Sequence, residues 1–141
     1  MTYKDLNVFK RAYQVAIDLH IYLNKNENKI IPQYRSEIRR SARLALVQIA
    51  EGYSQGTPKW KRVYNFRAID TFRRLMMDID FLHDIKSIPE KEYKYFLEEY
   101  SVCVKQLYKL NNSILNKENG VEPESEKSEK QVQENKVAVA A

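Results

Sequence analysis

The chain of 141 residues has few of the residues that mark disulfide frameworks, metal centres or turn-rich folds. The single cysteine, Cys103, can form no internal disulfide, and one cysteine with only two histidines in the chain does not make a zinc site. Three glycines and four prolines disfavour a β fold rich in turns. The charged N-terminal segment has no apolar signal core, and no apolar run reaches the roughly eighteen residues of a membrane span. We therefore expect an all-α, cytoplasmic protein that does not contact membranes.

The sequence also offers no apparatus for common enzymatic reactions. It contains no HExxH or CxxC sequence and no glycine-rich phosphate loop. Residues 52–56, GYSQG, have no predicted strand before them, which a nucleophile elbow requires. Asp80 and His83 have the spacing of half a metal-binding bundle motif, but no second pair accompanies them. We predict a protein that is not an enzyme and has no catalytic residue, cofactor or metal ligand.

Apolar residues recur every three or four positions in the first half of the chain, as on the buried faces of amphipathic helices. Asp5 is the predicted N-cap of a first helix that ends near Lys25, and Pro32 begins a second helix that Gly52 and Gly56 end. The predicted buried face of the first helix is Leu6, Phe9, Tyr13, Ala16, Ile17 and His20; that of the second is Ile38, Ala42, Ala45, Leu46, Ile49 and Tyr53.

The second half of the sequence predicts two more helices. Thr57 and Pro58 are the predicted N-cap and first residue of the third helix, and Pro89 precedes the fourth. The third helix has a predicted core of Tyr64, Ala68, Phe72, Leu75, Met76, Met77, Ile79 and Leu82; the fourth of Tyr93, Phe96, Leu97, Tyr100, Cys103, Val104, Leu107, Leu110 and Ile114. Short connections predict an antiparallel up-down four-helix bundle over residues 1–116. Residues 117–141, charged and without aromatics, predict a disordered tail that ends in VAVAA.

Positive charge is concentrated in the middle of the chain. Of a net charge of +5, residues 35–74 hold ten basic and three acidic residues, whereas residues 75–116 hold five basic and seven acidic residues. Such a basic segment can neutralise phosphates, and neighbouring aromatic rings can stack on unpaired bases. A basic but idle surface is the alternative. The predicted nucleic-acid contacts are Arg35, Arg39, Arg40, Arg43, Lys59, Trp60, Lys61, Arg62, Arg67 and Arg73, with Arg74 expected to pair with Asp70 and Asp78.

Several apolar residues fall outside the predicted core faces of the second and third helices. Clustered exposed apolar residues favour a subunit or partner interface, although scattered exposure is an equally simple explanation. We therefore expect a homo-oligomer. The predicted interface residues are Leu44, Val47, Val63, Phe66 and Phe81.

Two segments, DLNVFKRAYQVAIDLH at residues 5–20 and EIRRSARLALVQIAEGYSQG at residues 37–56, carry a family resemblance. They resemble the bacterial four-helix bundle family of 23S rRNA intervening-sequence proteins, and the resemblance extends over residues 4–116. The matching elements are Ile38, Arg39 and Arg40, and Ile49, Ala50, Glu51 and Gly52. The resemblance implies a small cytoplasmic protein, typically a pentamer, and favours RNA over DNA as its nucleic-acid partner.

Residues 69–76, IDTFRRLM, are also similar to a related branch, the accessory variability proteins of diversity-generating retroelements. That branch implies a basic pentamer that binds a reverse transcriptase and nucleic acid. The sequence thus leaves three hypotheses: a non-catalytic oligomer that binds nucleic-acid backbones, an accessory subunit of a reverse transcriptase, and a protein-interaction scaffold with no nucleic-acid role.

Overall fold

The structure, a computed structural model, describes residues 1–120. It contains four helices, α1 (Asn7–Lys25), α2 (Pro32–Ser54), α3 (Pro58–Asp84) and α4 (Glu90–Glu118), with short 3-10 helices at Tyr3–Asp5 and Glu27–Lys29. No strand occurs among residues 1–120, so the predicted all-α four-helix fold is confirmed. Helix α4 continues two residues past the predicted boundary at residue 116. The rest of the predicted tail, from residue 121, lies outside the described residues.

Each helix packs against its two neighbours in chain order, and α4 returns to α1. Gln48 of α2 accepts a hydrogen bond of 2.6 Å from Thr71 of α3, and the rings of Tyr34 and Phe81 meet at the other end of the same pair. These contacts are compatible with the predicted up-down arrangement. Side-chain hydrogen bonds join the other neighbouring helices in the same way. Those between α3 and α4 are Arg62–Glu118 and Asp80–Tyr93. Those between α1 and α4 are Arg11–Glu99 and Asp18–Tyr95.

The buried face of α1 differs from the predicted one. The residues of α1 that are buried in the bundle are Val8, Ala12, Val15, Leu19 and Leu23. Tyr13, Ile17 and His20, which the sequence predicts in the core, are exposed. Apolar residues surround more than half of α1, so they cannot all be buried against α2 and α4. Tyr13, Ile17 and Ile21 are therefore left on the surface.

The start of α3 is confirmed, whereas the predicted start of α1 is wrong. Thr57 Oγ1 accepts a hydrogen bond of 3.3 Å from the Trp60 amide, as an N-cap does. Near the N-terminus of the chain, Thr2 caps the first 3-10 helix, and the Asp5 carboxylate accepts a hydrogen bond of 2.8 Å from the Thr2 amide. Asp5 thus completes a capping box one turn earlier, and α1 begins at Asn7 after Leu6.

Gly52 does not end α2, which continues to Ser54. It is buried where α2 crosses α3, and a Cβ atom added there would lie 2.9 Å from Asn65 Oδ1 and 3.2 Å from Tyr64 Cβ. Glycine is therefore required by the close approach of the two helices rather than by a turn.

The predicted core of α3 and α4 is largely confirmed. Phe72, Leu75 and Ile79 of α3 are fully buried, and Tyr100 and Leu107 of α4 are at most 1% exposed. Met77 is a wrong prediction: it is 71% exposed, because it lies on the opposite side of α3 from these residues.

Candidate nucleic-acid interface

The first two predicted contact residues of α2 are engaged in the fold. Arg35 donates from its Nη1 to the carbonyl oxygens of Glu27 and Ile30, the latter at 3.2 Å, and so closes the connection between α1 and α2. Arg39 Nη2 lies 2.5 Å from Asn24 Oδ1 near the end of α1. Both guanidinium groups are only partly exposed. Their primary role in this structure is to hold α1 and α2 together.

Arg40 and Arg43 are different, because both are exposed on α2. No carboxylate among residues 1–120 lies within ion-pair distance of either guanidinium group. They are about 4.5 Å apart along the helix axis. Together they form an uncompensated positive patch on the outer side of the bundle.

The start of α3 contributes a second group of basic and aromatic residues. Lys59 and Trp60 are exposed. Lys61 donates a bond of 2.6 Å from Nζ to the Tyr53 carbonyl oxygen and lies 5.4 Å from the Tyr53 ring centroid. Arg62 forms an ion pair of 3.0 Å with Glu118 at the end of α4. Lys59 and Trp60 thus face solvent, whereas Lys61 and Arg62 tie α3 to its neighbours.

Farther along α3, Arg67 is exposed and its guanidinium lies 4.8 Å above the Tyr64 ring. Arg73 instead packs on Tyr108 of α4, donates to its hydroxyl and lies 3.9 Å from Asp70. The expected pairing of Arg74 with Asp70 is therefore wrong, since Asp70 pairs with Arg73.

Arg74 does act on its other expected partner, Asp78. Burial and the neighbouring Glu37 carboxylate raise the pKa of Asp78, and Arg74 opposes that rise.

The ten predicted contact residues divide into two groups. Arg40, Arg43, Lys59, Trp60 and Arg67 are exposed; Arg35, Arg39, Lys61, Arg62 and Arg73 are held by intramolecular contacts.

The predicted interface residues divide in a similar way. Leu44, Val47 and Phe81 are exposed, as the sequence indicates. Val63 and Phe66 are half-buried, and the Phe66 ring centroid lies 6.2 Å from that of Tyr108. Phe66 therefore packs partly against α4 and not wholly outside the bundle.

The sequence does not predict a groove that lies between α1 and α2, since it places most of the apolar lining residues in the core and Arg39 and Arg43 at a nucleic-acid surface. It has a volume of about 310 Å³ and mostly apolar walls. Arg39 and Arg43 of α2 lie along it, and no acidic residue lines it. We call it the α1–α2 groove; its lining residues are Tyr13, Ala16, Ile17, Leu19, His20, Ile21, Arg39, Ala42, Arg43 and Leu46.

Side chains of the types that act in catalysis or metal binding are hydrogen-bonded or buried within the bundle. The Ser54 hydroxyl donates to the Glu51 carbonyl oxygen at 2.9 Å, and burial raises the pKa of Cys103 to about 12. His83 Nε2 lies 2.5 Å from Glu90, while Asp80 accepts a bond from a tyrosine of α4. Among residues 1–120, no group of three or more His, Cys, Asp or Glu side chains is placed to hold a metal ion.

Comparison with known protein families, with curated proteins and with solved structures finds no match to this chain. Within residues 1–120, no helix has both the length and the apolar character needed to cross a membrane.

Proposed function

We propose that this protein is a non-catalytic nucleic-acid-binding bundle that contacts phosphates through the outer side of α2 and α3. The observation that carries the proposal is the exposure of Arg40, Arg43, Lys59 and Arg67, none of which has an ion-pair partner among residues 1–120. Arg35 and Arg62 differ from them, since Arg35 donates to a carbonyl oxygen and Arg62 pairs with a carboxylate of the fold. These four cations are free to contact a ligand.

The spacing of the free cations suits an extended polyanion. From Arg40 to the end of α2 is about 21 Å at the helical rise of 1.5 Å per residue, and Lys59 follows just beyond the connection to α3. A nucleic-acid strand presents a phosphate about every 3.4 Å of duplex axis, so this length covers several phosphates. The surface therefore favours backbone contact over recognition of one isolated phosphate.

Trp60 and Arg67 add a preference for unpaired bases. Trp60 is about half exposed beside Lys59, and Arg67 is already stacked on Tyr64. Exposed aromatic rings next to cations stack on bases in single strands with little dependence on sequence. We infer that single-stranded RNA binds more tightly than duplex.

The family resemblance supports RNA as the ligand. Of its matching elements, Ile38 and Ile49 are buried, Gly52 allows the close approach of α3, and Arg40 is exposed. We propose an RNA-associated protein of the intervening-sequence type, working in the cytoplasm. An accessory subunit of a reverse transcriptase is the alternative within the same resemblance, and it would bind such an enzyme in addition to RNA.

The test is a salt series of binding to single-stranded and duplex RNA and DNA. With four phosphate contacts, the logarithm of the affinity for a single strand falls against the logarithm of salt concentration with a slope of about −3. Arg40→Gln with Arg67→Gln removes two contacts and reduces that slope by about 1.4. Circular dichroism checks that the double variant keeps its helices.

The matched control is Lys91→Gln with Lys109→Gln, which removes the same charge from exposed positions of α4. It leaves the slope close to that of the parent. If the control reduces binding as much as the α2 and α3 variant, or if none of the four nucleic acids binds at low salt, the proposed interface is wrong.

The second candidate function is a protein-interaction scaffold, which the exposure of Leu44 and Val47 favours. In that case Arg40→Gln with Arg67→Gln leaves binding of the protein partner intact, whereas Leu44→Glu with Val47→Glu abolishes it. A reverse transcriptase is one partner to test in this way.

A further inference from the structure

The α1–α2 groove presents an apolar row of regular spacing. Tyr13, Ile17 and Ile21 follow one another every fourth residue of α1, and each is 39–52% exposed. Such a row lies along one side of a helix over two turns. Arg39 and Arg43 flank it on α2, so the groove combines an apolar floor with a positive edge.

A second row with the same spacing lies at the end of α3. We call Met77, Phe81 and Ile85 the α3 stripe; these residues are 46–71% exposed and also follow one another every fourth residue. Acidic residues accompany it: Asp84 is exposed next to the stripe, and Asp78 lies close enough to Glu37 of α2 for that carboxylate to raise its pKa. Arg74 is a cation on the same side.

The two rows are complementary in chemistry. Each offers three large apolar side chains over two helical turns, so one helix can lay its row along the other. The groove has arginines and no carboxylate along it, whereas the α3 stripe is accompanied mainly by carboxylates. Opposite charges beside apolar contacts select a partner and fix its register.

The two rows cannot meet within one chain, because α1 and α3 lie at diagonal corners of the bundle with α2 between them. We propose that the α3 stripe of one copy docks in the α1–α2 groove of a second copy. This contact joins two different faces, so each bound copy still offers one free face of each kind. The faces lie on neighbouring sides of the bundle rather than on opposite sides. Repetition therefore turns at each step; it gives a ring where the rotation closes and a helical filament where it does not.

The proposal does not depend on nucleic-acid binding, and its test uses the full chain without nucleic acid. Sedimentation velocity of the wild-type protein shows an oligomer. Ile17→Glu in the groove and Met77→Arg in the α3 stripe each abolish assembly, since each places a like charge against the opposite face. Both side chains are exposed, so the helical content measured by circular dichroism stays unchanged.

Mixing the two variants provides the decisive measurement. The Ile17→Glu variant keeps an intact α3 stripe, and the Met77→Arg variant keeps an intact groove. An equimolar mixture therefore forms the interface again, because one contact is fully native and the introduced carboxylate and guanidinium attract each other at the other. Native mass spectrometry then detects mixed species, starting at twice the 16.8 kDa mass of one chain. A contact between two identical faces would not be restored by mixing.

Trp60→Glu is the matched control, because it also places a charge at an exposed apolar residue but at the opposite end of α3. It keeps the wild-type oligomer. A monomeric wild type, a mixture that stays monomeric, or a control that dissociates like the two face variants would each overturn the proposal. Phosphate binding is measured separately with Arg40→Gln and Arg67→Gln, so its failure is distinguishable from failure of assembly.

Discussion

Gly52 of α2 lies against the buried side chain of Asn65 of α3. Asn65 Nδ2 donates a bond of 2.8 Å to Asn111 Oδ1 of α4, and Asn111 Nδ2 donates one of 3.2 Å to the Arg62 carbonyl oxygen. Asn65 and Asn111 are buried, so a lost hydrogen bond would leave an unsatisfied polar group. Asn65 cannot easily move away from a larger residue at position 52.

We therefore expect Gly52→Ala to destabilise the protein, although alanine favours helices over glycine by about 1 kcal/mol. Its Cβ would lie 2.9 Å from Asn65 Oδ1, and overpacking of this kind costs about 1–3 kcal/mol. The net change lowers the melting temperature by about 4 °C. Gly56→Ala is the control, because its Cβ would meet nothing within 4 Å. A melting temperature for Gly52→Ala at or above the wild-type value would contradict this account.

Sequence alone identified the basic residues but could not separate free from engaged side chains. The helical pattern tests only pairs within one helix, such as Asp70 with Arg74. Arg62 pairs with Glu118, which is 56 residues away, and Arg35 donates to carbonyl groups that belong to a connection. Such partners depend on how the helices pack, so the division within the candidate site required the structure.

At the level of helices, the sequence predicts all four helices and the buried faces of three of them. The exception is α1, which has two apolar rows: one of small and medium residues such as Ala12 and Val15, and one that includes Tyr13 and Ile17. Periodicity alone does not decide which row is buried, because both have helical spacing. The choice depends on how closely α2 and α4 approach, which the sequence of α1 does not contain.

Two tyrosine hydroxyls connect helix α4 to its neighbours. Tyr95 donates a bond of 2.5 Å to Asp18 of α1, and Tyr93 donates one of 2.6 Å to Asp80 of α3. In both cases the hydrogen bond to the carboxylate is the largest cause that raises the tyrosine pKa, to about 12. Both bonds require a protonated phenol.

Stability should therefore decrease at alkaline pH. The folded pKa of about 12 exceeds the unfolded value of 10.0, so the stabilisation is complete below pH 10 and is lost as the pH rises towards 12. Urea unfolding across this range measures the loss. Tyr93→Phe with Tyr95→Phe makes the loss smaller, whereas Tyr13→Phe, at an exposed position, leaves it unchanged. An equal pH dependence in the double variant would show that these bonds do not cause it.

For the whole molecule, the buried core lies between Val8 and Asn112, while charge is distributed unevenly along the chain. The four proposed phosphate contacts belong to α2 and α3, and residues 121–141 hold five glutamates and three lysines. No core residue is contributed by a position beyond Asn112 within the described part of the chain. The stability of the described bundle can therefore be tested separately from the charge that residues 121–141 carry.

Removal of residues 121–141 should leave the melting temperature within about 1 °C of the full chain, because the core of the described residues stays complete. It also removes a net charge of −2, and affinity for RNA at low salt should rise modestly. Thermal circular dichroism and the RNA-binding series measure the two effects. A large fall in melting temperature would show that the removed residues stabilise the bundle.

The burial of Cys103 also determines how this protein can be labelled. It is the one cysteine of the chain, and its thiol is fully buried and protonated at neutral pH. A cysteine introduced at an exposed residue such as Lys59 would therefore be the only thiol to accept a maleimide fluorophore. Resonance energy transfer between donor- and acceptor-labelled chains could then follow subunit exchange in real time, without removal of the native cysteine.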